Sequence, residues 1–486
     1  MDTKILDLKP ERVWYYFNEI AKIPRPSGEE KQIANWLMDF ARQHKLEAKI
    51  DEALNVIIRK APTKEMENRK SVCLQSHTDM VCEFNKGINY NPSTDPIRPF
   101  IDGEWVKAKG TTLGADDGIG VAASLAILEA ENLAHGPLEC LFTADEETGL
   151  NGAFSLKSDF INSRILLNLD SEDEGIIFIG CAGGRGTEAI FNYKTEQAPA
   201  NSEFVLIKVD GLKGGHSGDD INKRLGNANK ILNRLLLNAN KEFNIRLADI
   251  SGGNKRNAIP REAEALVAVD KIFAGKLIDY ITNFNDIIRY EYNVTEPNLK
   301  VSSGLKKSAN IPIIDEDTQK SFLSSVFICP NGVIAMSQGI DNFVETSSNL
   351  AVITNIKEKN KIEIVTSQRS SIESAKDYVV NMVGECFRIA GAEIAHNADY
   401  PGWNPNPNSA VLKTSVKVYK DLFIKEPEVK AIHAGLECGL IGAKYAGMDM
   451  ISFGPTLRDV HSPDERLHIE SVNRFWIFLT NLLKNI

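Results

Sequence analysis

The sequence predicts an α/β fold: a discontinuous domain with a mostly parallel sheet flanked by helices, interrupted by an inserted α+β domain. Short apolar runs bounded by turn formers, at 72–75, 138–142, 165–169 and 448–453, read as buried strands. An Ala- and Leu-rich helical pattern, GVAASLAILEA at 120–130, stands among them, and that alternation is the pattern of a parallel sheet. From about 187 to 398 the pattern differs, and the first kind of motif then returns at 448–465. The expected boundaries are therefore 1–186 and 399–486 for the two parts of one domain and 187–398 for the insertion.

Each strand is justified by the residues at its carboxyl end. SVCLQSHTDM ends on His77-Thr78-Asp79, an imidazole two residues before a carboxylate. A metal-binding histidine needs a partner on its other ring nitrogen, and His-x-Asp at a strand end supplies one. The same three residues also describe a hydrogen-bonded structural histidine. LGADDGIG at 113–120, TADEETG at 143–149, LLNLDSED at 166–173 and GPTLRDVHSPDE at 454–465 likewise place acids or imidazole after apolar runs. Taken singly, Asp145-Glu146-Glu147 reads as a solvated acidic turn, Asp116-Asp117 as helix capping in the first turn, and His461 as a surface histidine. Ligands of parallel sheets collect outside the carboxyl ends of the strands, so one crevice can gather all of these groups.

Two divalent ions about 3.5–4 Å apart need one bridging carboxylate and further ligands on each ion. Asp116 is assigned as the bridge, His77 and Asp170 to one ion, and Glu147 and His461 to the other. Glu146 is left without a metal. A free carboxylate beside the attacking water is what a general base should be, taking the proton and passing it to the leaving amine.

Composition narrows the class. The chain has 486 residues, 43% of them hydrophobic, enough for two cores. No apolar run approaches the ~20 residues of a membrane span, and MDTKILDLKPERVWYYF lacks a secretory apolar core. A formal charge of −10, a pI near 5.5 and the lack of a basic patch exclude nucleic-acid binding. The seven cysteines are scattered without a C-x-x-C pair and read as reduced core residues, which suits a cytoplasmic location.

HTDMV, LGADDGIG, ADEETG, GGHSG, HAGLECG and VHSPDE occur in this order across nearly the whole chain. They resemble the bacterial aminoacyl-histidine (Xaa-His) dipeptidase branch of a di-zinc metallopeptidase family that also holds tripeptidase T, aminoacylases and desuccinylases. The resemblance implies two-metal hydrolysis of dipeptides with the roles assigned above. It also implies that Asp79 orients His77 and that the Asp116-Asp117 peptide is cis. Zinc suits imidazole and carboxylate ligands, and manganese or cobalt fits the same set. A tripeptidase or N-acyl amino acid deacylase would share every metal residue, and an inactive scaffold would keep the fold alone.

GCAGGRGT at 180–187 reads as a hinge into the insertion, a lid in which EFVLIKVDGL and EAEALVAVD form strands around the helix LGNANKILNRLLLNAN. VFICPNGVIAMS and LAVITNIKEKNKIEIVTSQRSS read as a second set of strands before the helix IESAKDYVVNMVGECFRIAG. PGWNPNPNS at 401–409 is the linker back. In the lid, His216 on the GGHSG turn is placed to polarise the scissile carbonyl. In related enzymes the equivalent histidine often reaches a partner's site, which implies a homodimer through the lid and leaves open in which site His216 acts. Asn257 and Arg369 match positions where the family holds the substrate's carboxylate or carbonyl, a task suited to the planar arginine fork. Gly435 gives backbone access near the substrate, and His433 in the same motif is not a metal ligand.

Overall fold

Every side chain of Val72–His77 and of Leu138–Thr143 is buried, as expected of strands covered on both faces. The structure, a computed structural model, describes residues 4–306 and 311–486. It divides into two compact units: Met1–Cys181 with Trp403–Ala431 and Leu436–Ile486, and Ala182–Gly402 with Ile432–Gly435.

The first unit holds an eight-stranded sheet. Its order is Glu47–Ile50, Val56–Lys60, Leu138–Thr143, Val72–His77, Ile165–Asn168, Asp449–Ser452, Ile176–Cys181 and Glu428–Ile432. The central run from Leu138–Thr143 to Asp449–Ser452 is parallel, with His77 opposite Thr143 and Gln75 opposite Asn168. Val56–Lys60 and Ile176–Cys181 join it antiparallel. Because the parallel strands run together, the segments after His77, Thr143, Asn168 and Ser452 leave from one edge. The helix Ala115–Glu129 buries nearly every residue and packs on the Val72–His77 strand and the helix Glu11–Ile20. Burial of each large apolar side chain here contributes roughly 1.5–3 kcal/mol.

The second unit is an antiparallel sheet ordered Lys300–Lys306, Ser202–Asp210, Ala263–Asp270, Arg246–Gly252, Val344–Ile356, Lys361–Ser370, Gly183–Asn192 and Glu393–Tyr400. The helices Ala228–Phe243, Lys271–Glu291, Glu316–Ile328 and Glu373–Ile389 cover it around Val205, Leu235, Phe322 and Phe387. Two features depart from the sequence reading. The run VFI forms the last turn of the helix Glu316–Ile328, which Asp315 starts by accepting from the Thr318 amide at 3.0 Å. The boundary between the units falls inside GCAGGRGT, and its glycines lie in the strands Ile176–Cys181 and Gly183–Asn192: a Cβ on Gly183 would lie 2.6 Å from the Tyr400 carbonyl, and one on Gly184 would lie 2.6 Å from the Tyr400 ring. Close packing explains them.

All seven cysteines are free, five of them buried. Among the described residues, no helix is long and apolar enough to cross a membrane.

Candidate metal centre

The carboxyl edge of the parallel strands in the first unit gathers acids and two imidazoles. His77, 1% exposed, ends its strand with Nε2 at 2.9 Å from Asp116 Oδ1 and 3.3 Å from Asp170 Oδ1. His461 approaches from the loop after Leu457–Arg458, with Nε2 at 3.1 Å from Asp116 Oδ2 and 2.9 Å from Glu147 Oε1. Asp116 thus offers one oxygen to each histidine. Ligand atoms of His77, Asp116 and Asp170 lie within 4.8 Å of one another, as do those of Asp116, Glu147 and His461, and those of His77, Glu146 and Glu147.

Local structure sets these positions. Gly114, at φ 68°, takes a left-handed conformation before the helix Ala115–Glu129, and Asp116 and Asp117 depart from helical angles inside its first turn. The peptide between them is cis. Asp79 lies beneath the site: Oδ1 is 3.4 Å from His77 Nδ1 and accepts from the Glu146 amide at 3.0 Å, while Oδ2 accepts from the Glu147 amide and the Ser27 hydroxyl. One carboxylate therefore joins the His77 strand to the Glu146-Glu147 turn.

The electrostatics test whether cations fit. Burial first, and then neighbouring carboxylates against the pull of His77, push Asp117, Glu146 and Asp170 well above the usual carboxylate range. Burial acts to raise Asp116 too, but hydrogen bonds from His461 and His77 hold it below that range. Its bonds to Asp116 and Glu147 raise His461 to about 11. A cluster whose buried acids outnumber its imidazoles is short of positive charge, and its oxygen and imidazole donors without thiolate suit divalent cations.

Three charged residues outside the predicted set hold the loops. Arg25, 2% exposed, donates through Nη1 to the Thr78 and Asp79 carbonyls at 3.0 and 2.9 Å, and through Nη2 to the Gly114 carbonyl at 2.5 Å. Glu465, also 2% exposed, accepts from the amides of Leu113, Gly114 and Ala115 at 2.7–3.0 Å. Those contacts tie the loops of His77 and His461 to that of Asp116. Glu437, fully buried, accepts from Gln75 Nε2 at 2.5 Å and Thr143 Oγ1 at 2.7 Å, and burial raises its carboxyl to about 7. Glu465 and Glu437 sit inside the motifs VHSPDE and HAGLECG, and that motif membership was the signal available in the sequence. Arg25, in IPRPSGEE, carried none.

The remaining predicted residues belong to the second unit. Gly215–His216 pairs antiparallel with Ala258–Ile259, which brings His216 beside Asn257, and both line a cavity of about 900 Å³. His216 Nδ1 is 3.1 Å from Asp219 Oδ2. Arg369, near the end of Lys361–Ser370, donates through Nη1 to the Tyr400 hydroxyl at 2.9 Å, and a Cβ on Gly435 would meet the Tyr400 ring at 3.0 Å. His433 is bound to the Ser347 hydroxyl at 2.7 Å, and burial, then the Arg369 charge, push it down to about 3. It is neutral and packed within the second unit.

Known proteins are similar to this chain in sequence and in fold. The model of peptidase family M20/M25/M40 matches residues 73–485. A cytosol non-specific dipeptidase of Escherichia coli (strain K12) is 44% identical over 484 residues, covering 100% of this chain and 99% of the relative. The crystal structure of an aminoacylhistidine dipeptidase from Vibrio alginolyticus is 40% identical with a TM-score of 0.92, covering 100% of this chain and 98% of that one. A tripeptidase from Staphylococcus aureus, 17% identical with a TM-score of 0.56 and covering 98% of each chain, shares the fold.

Proposed function

This chain belongs to peptidase family M20/M25/M40, and on that premise we propose that it is a two-metal dipeptidase acting on Xaa-His and related dipeptides. The observation that carries the two-metal reading is Asp116, whose two oxygens face His77 and His461 separately at 2.9 and 3.1 Å. A carboxylate so placed would serve two ions, with His77 and Asp170 available to hold one and Glu147 and His461 the other. When bound, such ions supply Lewis acidity to the substrate carbonyl and to the attacking water.

The chain's own groups do the rest. Glu146, assigned to no metal and half-buried beside the proposed ligands, accepts the proton of the water and delivers it to the leaving amine. Asp79 fixes the His77 ring and, through two amide hydrogen bonds, the turn that aims Glu146. His216 donates to the oxygen that gains charge in the transition state. Asn257, Arg369 and Gly435 hold the substrate, Arg369 by its carboxylate.

Zinc is the native ion of this proposal, with manganese or cobalt able to occupy the same donors. A homodimer formed through the second unit and a cytoplasmic location complete it; the free cysteines and the name of the Escherichia coli relative support the latter. That name also favours a broad range of dipeptides over strict Xaa-His preference.

The test is Glu146→Ala: metal content by elemental analysis stays at two ions per chain while dipeptide turnover is lost. Retained turnover removes Glu146 from the role. A rate profile over Xaa-His, other dipeptides, tripeptides and acylated amino acids sets the class, and faster cleavage of acylated amino acids would instead place the chain among the deacylases.

A further inference from the structure

Arg369 is only 7% exposed, yet among the described residues it has no carboxylate within ion-pair distance. Its Nη1 is bound to Tyr400, and its Nε is buried without a partner. Asp219, whose carboxyl is held down against its burial first by His216 and then by the Arg369 charge, is engaged by His216 at 3.1 Å, and His433 is bound to Ser347. A buried guanidinium left in this state is a binding site for an anion from outside the chain.

Tyr400 is held in place on every side. Lys376, fully buried, donates to the Tyr400 carbonyl at 2.7 Å and pairs with Asp399 at 2.9 Å. The ring fills the space that any side chain at Gly184 or Gly435 would need. The hydroxyl accepts from Arg369, so its own proton remains free to donate. A guanidinium and a phenol O–H fixed side by side form a donor pair matched to one carboxylate.

We infer that Tyr400 is a specificity-determining residue whose hydroxyl, together with Arg369, recognises the free C-terminal carboxylate of the dipeptide. This rests on the reading of Arg369 as the carboxylate anchor. The experiment compares a dipeptide with its C-terminal amide on wild-type enzyme and on Tyr400→Phe, which keeps the ring and removes only the hydroxyl. Wild type should favour the free acid. The variant should raise KM for the acid about tenfold, the loss of one charge-assisted hydrogen bond, with kcat, metal content, thermal midpoint and KM for the amide unchanged. Equal use of acid and amide by the wild-type enzyme would overturn the Arg369 anchor and this inference with it. Discrimination that survives intact in Tyr400→Phe would overturn the role of Tyr400 alone.

Discussion

The two units bury unpaired charge of opposite sign. At the carboxyl edge of the parallel strands, Asp116, Glu146, Glu147 and Asp170 surround two imidazoles, so negative charge is in excess. In the antiparallel unit, Arg369 is buried with a neutral hydroxyl as its hydrogen-bond partner and no carboxylate within ion-pair distance among the described residues. Fold stability explains neither, because a buried charge without a counter-ion costs more than it returns. The sign of the excess names the missing ligand: cations at the first edge and an anion at the second. A dipeptide carries such an anion in its C-terminal carboxylate, which is why the proposed function assigns Arg369 to substrate.

The largest effect should come from Asp116, the group proposed to serve both ions. Asp116→Ala is expected to lose both metals and to lower turnover by about 10³-fold or more, since both ions lose a ligand at once. A variant that still binds two ions per chain removes the bridge and, with it, the claim that this edge is built for a cation pair.

Next in size is Glu465→Gln. Glu465 gathers the backbone amides of Leu113, Gly114 and Ala115, and an amide side chain cannot accept from all of them. Groups that orient metal-bearing loops typically cost 10–100-fold in metal affinity when changed, so roughly that loss is expected in a titration of metal into the metal-free protein. Wild-type affinity would mean that the Asp116 loop holds its shape unaided.

The other half of the comparison is tested by Arg369→Met. Removing a buried cation without a counter-ion should leave the ligand-free fold as stable or up to about 2 kcal/mol more stable. The same change should raise KM for dipeptides roughly 10–100-fold with metal content unchanged. A loss of thermal stability without a change in KM would make Arg369 a structural residue.

The two halves were not equally legible in sequence. His77, Asp116, Glu146, Glu147 and Asp170 each follow an apolar strand or open a helix, so strand periodicity and the rule that ligands collect at carboxyl ends located them. His461 obeys the same logic through the run before it. Arg369 sits near the end of a long antiparallel strand where a solvated arginine would look identical, and its burial depends on Tyr400, thirty-one positions on. Glu465 lay in a polar SPDER stretch that reads as a surface loop; its partners are about 350 positions away in the chain. The glycines at 183 and 184 read as a hinge because their packing partner, Tyr400, is equally remote. Local pattern reports what a residue does to its own backbone, whereas burial of polar groups is set by tertiary contacts.

The smallest expected effect concerns Glu437, which tests whether the acid excess extends beneath the ligand set. Burial first, with the Asp79 charge adding to it, raises this carboxyl from an ordinary 4.5 to about 7, against the pull of His77, Thr143 and Gln75. A carboxyl with a raised folded-state value keeps a proton that the unfolded chain has already released. Its contribution to stability is therefore complete below pH 4.5, declines as the pH rises, and is gone above about 7. Glu437→Gln cannot titrate, and a lost or misplaced hydrogen bond in the variant costs the same at every pH. The Glu437 charge also raises Glu146, and that coupling widens the difference in the same direction. In metal-free protein, the urea midpoint of wild type should fall relative to that of Glu437→Gln between pH 4.5 and 8, so the variant gains ground as the pH rises. Parallel pH profiles would show that Glu437 shares its charge freely with Gln75 and Thr143, and that the excess of buried acid stops at the ligands themselves.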